Sequence, residues 1–247
     1  MSLTEINIRE KNFHNELQSK KKSRFENIFY KALFNINEDF FNFLEMNAKN
    51  SEILDYGCGV GTLIEKLIKF KPKKIVGIDI SEVSINKAKE RIKELKSKVD
   101  FYVDNCEKTQ FDNNSFDIVY GSGILHHLKI DECLNEIHRI LKPNGSLLFI
   151  EPLGTNPIIN FYRKLTPKSR SVDEHPFMNK DFKYIDNKFI NMKIKYYGFL
   201  TLLFFPFYKS PDNSKLFKFF SNFDQILFKY KFFQLFAWSV LITAKKN

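Results

Sequence analysis

Residues 51 to 151 predict an α/β fold, a mostly parallel sheet with helices on both faces. Short apolar runs alternate there with amphipathic helical patterns. The first run leads into a glycine-rich turn and a helix, and the next two end in acids, as in open sheets that bind ligands at their strand tips. At 247 residues the chain can bury the core that such a sheet needs.

Taken in order, residues 1 to 50 read as a helical cap, with Phe25, Ile28, Phe29, Leu33, Phe34, Phe40, Phe43 and Leu44 at helical spacings. SEILDYG is a strand, followed by the glycine turn and the helix TLIEKLIKF. KKIVGIDIS is a second strand, and EVSINKAKERIKELK a helix with Ser81 at its N-cap. VDFYVDN and FDIVYGS are the third and fourth strands. IDECLNEIHRILKPNG is a helix stopped by Pro143 and Gly145, and SLLFIEP is the fifth strand. Beyond Glu151 the rhythm is lost in a segment rich in proline and polar residues, which reads as an insertion over the strand ends. A strand from Asn191 to Phe199, an aromatic helical region and a last strand, FAWSVLITAKK, complete the chain. The expected organisation is a single domain over 1–247: cap 1–50, ligand-binding core 51–151, substrate-side insertion and helices 152–235, last strand 236–247.

The stretch ILDYGCGVGTLIEKL places Gly57, Gly59 and Gly61 within five residues. Such a loop brings backbone N–H groups close to a ligand, because glycine has no Cβ to obstruct it. A dinucleotide fingerprint requires G-x-G-x-x-G, and the register fails from either Gly57 or Gly59. Asp55, two residues before the first glycine, would repel a pyrophosphate but can accept a hydrogen bond from an ammonium group. Asp79 ends the second strand, where a carboxylate can take both hydroxyls of a ribose. Asp104, Asn105 and Cys106 follow the third strand, where Asp104 can accept from an adenine amino group and the next N–H can meet a ring nitrogen. Each acid alone is explained as a cap or turn former; three on successive strand tips are not.

Over roughly residues 40 to 155, with the terminal strand adding to the match, the chain resembles the class I S-adenosylmethionine-dependent methyltransferases. ILDYGCGVGT is similar to their first motif and IVGIDIS to their second; VDNCEKTQF with FDIVYGSGILHHL is similar to the third and fourth, and EIHRILKPNGSLLFIEP to the segment ending the fifth strand. The resemblance implies a Rossmann-like, doubly wound sheet of seven strands with the last one antiparallel. It implies S-adenosyl-L-methionine as cofactor and S-adenosyl-L-homocysteine as product. Asp55, Gly57, Gly59 and Gly61 would hold the methionine end, Asp79 the ribose, and Asp104, Asn105 and Cys106 the adenine, with Ile80 and Gly121 in the same site.

Methyl transfer is an in-line displacement on an activated carbon, so a general base is needed only where the acceptor loses a proton. His126 and His127 follow the fourth strand and Glu151 closes the fifth; neighbouring residues point in different directions, so one histidine at most faces the acceptor. Packing or capping is the competing role for both. The insertion adds Arg163, Arg170, Asp173, Glu174 and His175. Its SVDEHP run could supply a base, bind a hydroxylated substrate, or with His126 or His127 and Glu151 hold a metal; the competing explanation is a surface loop whose Asp173 and Glu174 pair with Lys168 and Arg170, and no metal is expected. The catalytic candidates are His126, His127, Glu151 and His175; His14 and Tyr30 could reach the pocket from the cap.

These residues favour a small-molecule hydroxyl acceptor: a sugar, or a phosphorylated, polysaccharide or natural-product precursor. Arg163 and Arg170 suit a phosphate. A quinone or lipid acceptor, or an amine, is the alternative, since YYGFLTLLFFPFY and the phenylalanines after it could line an apolar pocket, touch a membrane or pack a homodimer. The net charge of +10 raises tRNA methylation, but the lysines are spread along amphipathic segments and the fourth strand ends in YGSG rather than an N-P-P-[YF] signature, so no nucleic acid is expected. The longest apolar run is too short to span a bilayer, so no stable membrane insertion is expected. Cys58, Cys106 and Cys133 fit neither a disulfide framework nor a zinc site, and suit a reduced, cytoplasmic setting.

Overall fold

Ile53, Leu54 and Tyr56 of strand β1 (Glu52–Tyr56) are fully buried, which requires cover on both faces of the sheet. The computed structural model describes residues 3–19, 28–93, 98–167, 170–208 and 210–247. Phe25 and Lys168, singled out in the sequence, lie outside the described residues, as do the side chains of Ile28 and Phe29.

β1 pairs in parallel with β2 (Lys74–Asp79) on one side and β4 (Phe116–Ser122) on the other; β3 (Val99–Val103) lies outside β2, and β5 (Leu141–Pro152) outside β4. β7 (Ser239–Lys245) inserts antiparallel between β5 and β6 (Ile190–Tyr197), giving the order β3-β2-β1-β4-β5-β7-β6. This is the expected seven-stranded, mostly parallel sheet. Its direction of winding reverses between β1 and β4, where open α/β sheets bind ligands beyond the strands' carboxyl ends.

Alternate residues feed two apolar layers. Leu54, Val76, Val119, Leu147 and Phe149 face one side with Leu134, Ile137 and Ile140 of α5 (Ile130–Ile140). Ile53, Ile75, Ile118, Leu148 and Ile150 face the other, with Phe40 and Leu44 of α2 (Phe34–Asn47), Ile64 and Leu67 of α3 (Thr62–Leu67), and Ile85 and Ala88 of α4 (Glu82–Arg91). Each large side chain so buried is worth ~1.5–3 kcal/mol. Ser81 caps α4 as expected, its Oγ accepting from the Ser84 N–H (3.0 Å).

Two boundaries differ from the sequence reading. α5 ends at Ile140, ahead of Pro143, and β5 starts at Leu141. Proline pushes its predecessor, Lys142, into extended backbone, so the chain leaves the helix early and joins the sheet directly. The segment beyond Glu151 is also more regular than its composition suggests. It holds α6 (Pro157–Leu165) and α7 (Asn179–Lys188). Asn156 caps α6, its Oδ1 accepting from the N–H groups of Ile158 (2.9 Å) and Ile159 (3.1 Å), and Pro157 takes the first helical position.

Candidate active site

The glycine loop turns between β1 and α3 with Gly57, Gly59 and Gly61 at φ of 76°, 51° and 76°, where any other residue is strained. A Cβ at Gly59 would meet nothing within 4 Å, so the loop's middle faces open space. Asp79, at the tip of β2, ties that loop down: Oδ2 accepts from the Gly59 N–H (2.9 Å) and Oδ1 from the Ser81 N–H (2.8 Å). Ile80 beside it is half-buried. Gly121, next to last in β4, sits where a Cβ would lie 2.7 Å from the Phe149 ring and 2.8 Å from the Tyr56 carbonyl, so only glycine fits between these three strands.

Asp55 is 1% exposed, and its Oδ2 accepts from the Tyr120 hydroxyl (2.9 Å). Burial, opposed by that hydrogen bond and reinforced by the charge of Asp79, pushes its pKa up to about 8. Burial also raises Asp79 and Asp104. Asp104 accepts from the N–H groups of Asn105 (2.9 Å) and Gln110 (3.1 Å). The Asn105 N–H, expected to face a ring nitrogen, is thus turned onto its own neighbour. Cys106 packs in the core with Tyr56 and Val76, and burial holds its thiol protonated.

Glu151, fully buried at the end of β5, collects the following loop. Its Oε1 accepts from the N–H groups of Ile124 (3.0 Å) and Leu125 (2.8 Å), and its Oε2 lies 2.7 Å from His126 Nδ1. Burial pushes Glu151 up to about 7 and His126 well below the usual imidazole value. A neutral His126 that donates through Nδ1 keeps its Nε2 lone pair as a proton acceptor. That nitrogen is 4.0 Å from Glu174 Oε1.

The insertion is stitched to this centre by backbone bonds: the His175 N–H to the His126 carbonyl (2.9 Å), and the Phe177 N–H to the Pro152 carbonyl (2.9 Å). In such an extended segment successive side chains alternate in direction. Glu174 turns inward and the His175 side chain is exposed, apart from the buried cluster. Asp173 pairs with Arg9 through two hydrogen bonds of 2.8 Å, and Arg170 Nε lies 3.6 Å from Glu174; the Lys168 pairing expected from the sequence falls outside the described residues. Arg163 Nη1 donates to the Leu153 carbonyl and Asn160 Oδ1, both at 2.8 Å.

Sequence reasoning under-weighted the helix α1 (Glu5–Ser19), which lies across these strand tips. Asn7 and Glu10 are buried although polar. Asn7 Nδ2 donates to Glu107 (3.0 Å), Ser81 Oγ donates to Asn15 (2.6 Å), and Ser171 donates to Glu10 Oε1. Glu10 Oε2 sits 3.1 Å from His127 Nδ1 and 3.4 Å from His14 Nε2. The readable signal was a helix polar nearly all round, which must place some polar groups against other polar groups. Tyr30 packs its ring against Trp238 in a tilted arrangement, with centroids 5.2 Å apart.

Residues 53–145 match the family model described as a methyltransferase domain. Over that stretch the chain is similar to methyltransferase domains. It is 32% identical over 127 residues to the sterol 24-C-methyltransferase of Kluyveromyces lactis, covering 50% of this chain and 33% of that one. It is 36% identical over 107 residues to the ubiquinone biosynthesis O-methyltransferase of Pelagibacter ubique, covering 43% of each. The chain thus spans a third to under half of these relatives' lengths. Geranyl diphosphate C-methyltransferase of Streptomyces coelicolor A3(2), solved with Mg2+, geranyl diphosphate and S-adenosyl-L-homocysteine, shares the fold over 100% of both chains (TM-score 0.69, 16% identity). No helix among the described residues is long and apolar enough to cross a membrane.

Proposed function

We propose that the chain transfers a methyl group from S-adenosylmethionine to a hydroxyl of a small polar acceptor, with His126 as general base. The residues present suit the cofactor: open space lies over Gly59, and acids stand at the tips of three adjacent strands. Asp55 and the glycine loop would hold its amino-acid end, Asp79 its ribose, and Asp104 with Asn105 its adenine, while Gly121 keeps the strands beneath close together. When bound, it supplies a methyl carbon already activated by the sulfonium sulfur. The chain's part is alignment, exclusion of water and acceptance of one proton.

The observation that carries the hydroxyl reading is the 2.7 Å contact between His126 Nδ1 and Glu151 Oε2. A buried carboxylate fixes the imidazole tautomer, turns Nε2 to the side of Glu174 and offsets the charge that appears when that nitrogen is protonated. As the acceptor oxygen gains the methyl group, its proton passes to His126 Nε2. Glu174, 4.0 Å from His126 Nε2, and Glu10, 3.1 Å from His127 Nδ1, suit further hydroxyls of the acceptor. The test is turnover by His126→Ala and Glu151→Gln. Each lowers kcat by about 10²–10⁴ with cofactor affinity within threefold of wild type; full activity in His126→Ala would refute the base assignment.

A second reading, a lipid or quinone-type acceptor, is favoured by one specific observation. On α9 (Lys215–Leu227), Leu216, Phe219, Phe223 and Ile226 form an exposed stripe beside Lys215 and Lys218. Turnover of a water-soluble acceptor in the absence of vesicles or detergent separates the two readings.

A further inference from the structure

Three nitrogen and oxygen ligands of metal-binding type converge under α1, apart from the His126–Glu151 pair. Glu10 and His14 are one helical turn apart and project from one face of α1. His127 meets them from the loop after β4. Glu10 Oε2 is 3.1 Å from His127 Nδ1 and 3.4 Å from His14 Nε2, and the three donor atoms lie within 4.8 Å of one another. The Glu10 and His127 side chains are 7% and 5% exposed.

The second observation is that this cluster is incompletely satisfied. Glu10 Oε2 and His127 Nδ1 are buried without a hydrogen-bond partner among the described residues, their 3.1 Å approach being too oblique to count as one. Buried polar atoms left so are costly and rare. The other carboxylate oxygen, Oε1, is fixed by the Ser171 hydroxyl, which orients the group. Ligand atoms about 2.0–2.2 Å from a tetrahedral metal are themselves about 3.3 Å apart, which the two measured separations match. Two imidazoles and one carboxylate suit zinc and its first-row neighbours rather than the all-oxygen preference of magnesium or calcium.

We infer that Glu10, His14 and His127 form a binding site for a divalent first-row transition metal of the zinc type, with a fourth position left for an oxygen ligand. In the hydroxyl-acceptor reading that ligand is the acceptor itself, but metal binding does not depend on that reading. The neighbouring group His126, His127 and Glu174 shares His127. It is the less suited, because His126 is held by Glu151 and Glu174 lies beside Arg170.

The test is titration of the metal-stripped full chain with Co2+, read by its visible d–d absorption, and with Zn2+ by competition. The expected result is one equivalent with the strong absorption of a four-coordinate site. Glu10→Gln and His14→Ala each weaken affinity at least tenfold, while Glu174→Gln and the control His138→Ala, at a half-buried histidine outside the cluster, bind as wild type. His14 is 28% exposed at its side chain, so its alanine variant leaves the core intact, and thermal melts check this. Absence of a one-equivalent cobalt spectrum in wild type overturns the proposal. So does loss of binding in Glu174→Gln with retention in Glu10→Gln. Metal binding with no methyl transfer would leave this site standing and sink the hydroxyl-acceptor reading; the reverse result would do the opposite.

Discussion

Asp55 makes cofactor binding proton-linked. With its pKa pushed up to about 8 by burial, the carboxyl in the free protein is about nine-tenths protonated at pH 7. The groups facing it are the Tyr120 hydroxyl, which donates to it, the Asp79 carboxylate, which reinforces the shift, and the buried thiol of Cys58. To receive an ammonium group the carboxyl must ionise, which costs ~1.4 kcal/mol at pH 7 and ~2.7 kcal/mol at pH 6. Affinity for S-adenosylmethionine therefore rises about tenfold from pH 6 to pH 7, and binding at pH 7 releases close to one proton. Asp55→Asn keeps the shape but cannot ionise. Its affinity loses that slope, and at pH 8 it binds about 10–150-fold more weakly, the worth of a charge-assisted hydrogen bond at ~1.5–3 kcal/mol. The assay is calorimetry in buffers of different ionisation heat, from pH 6 to 8. A wild type that releases no proton and binds equally at both ends of that range would refute the reasoning, as would a wild-type slope in Asp55→Asn. The sign for folding is opposite. A raised carboxyl binds its proton more tightly in the folded state, so its contribution is complete below about pH 4 and lost as pH rises through about 8; unliganded Asp55→Asn should gain on wild type over that interval in thermal melts.

The two glycines separate binding from folding. Gly59→Ala costs ~1–2 kcal/mol for its left-handed backbone and fills space over the loop, so cofactor affinity falls far more than the melting temperature. Gly121→Ala forces a methyl group against Phe149 and the Tyr56 carbonyl and costs ~1–3 kcal/mol in denaturant titration. Asp79→Ala frees the N–H groups of Gly59 and Ser81, abolishing detectable cofactor binding and lowering stability by ~1–3 kcal/mol in urea titration. Arg9→Ala and Asp173→Ala each loosen the clasp between α1 and the insertion, and the double variant is no worse than either single one in acceptor KM or in protease cleavage of the first 30 residues.

The fold was legible where local chemistry repeats. Alternating apolar residues set the strands, Ser81 marks a helix start, and Asp55, Asp79 and Asp104 stand at strand tips because short acids after an apolar run have few other places to go. What escaped the sequence depends on contacts between distant segments. Nothing local in EINIREKNFHNELQS states that Glu10 will meet His127 or that Arg9 will meet Asp173. In SVDEHP the histidine drew attention as the better base, yet the alternation of an extended chain turns Glu174 in and His175 out. The boundary between α5 and β5 was misread by treating Pro143 as the stop, when its influence falls on the residue before it.

A crystal structure with S-adenosylhomocysteine tests the central claim most directly. The account predicts the amino-acid end over Gly57 to Gly61 beside Asp55, the ribose hydroxyls on Asp79, and the sulfur facing His126 and Glu174. A ligand seated elsewhere, or a fully folded protein that takes up none, would contradict it.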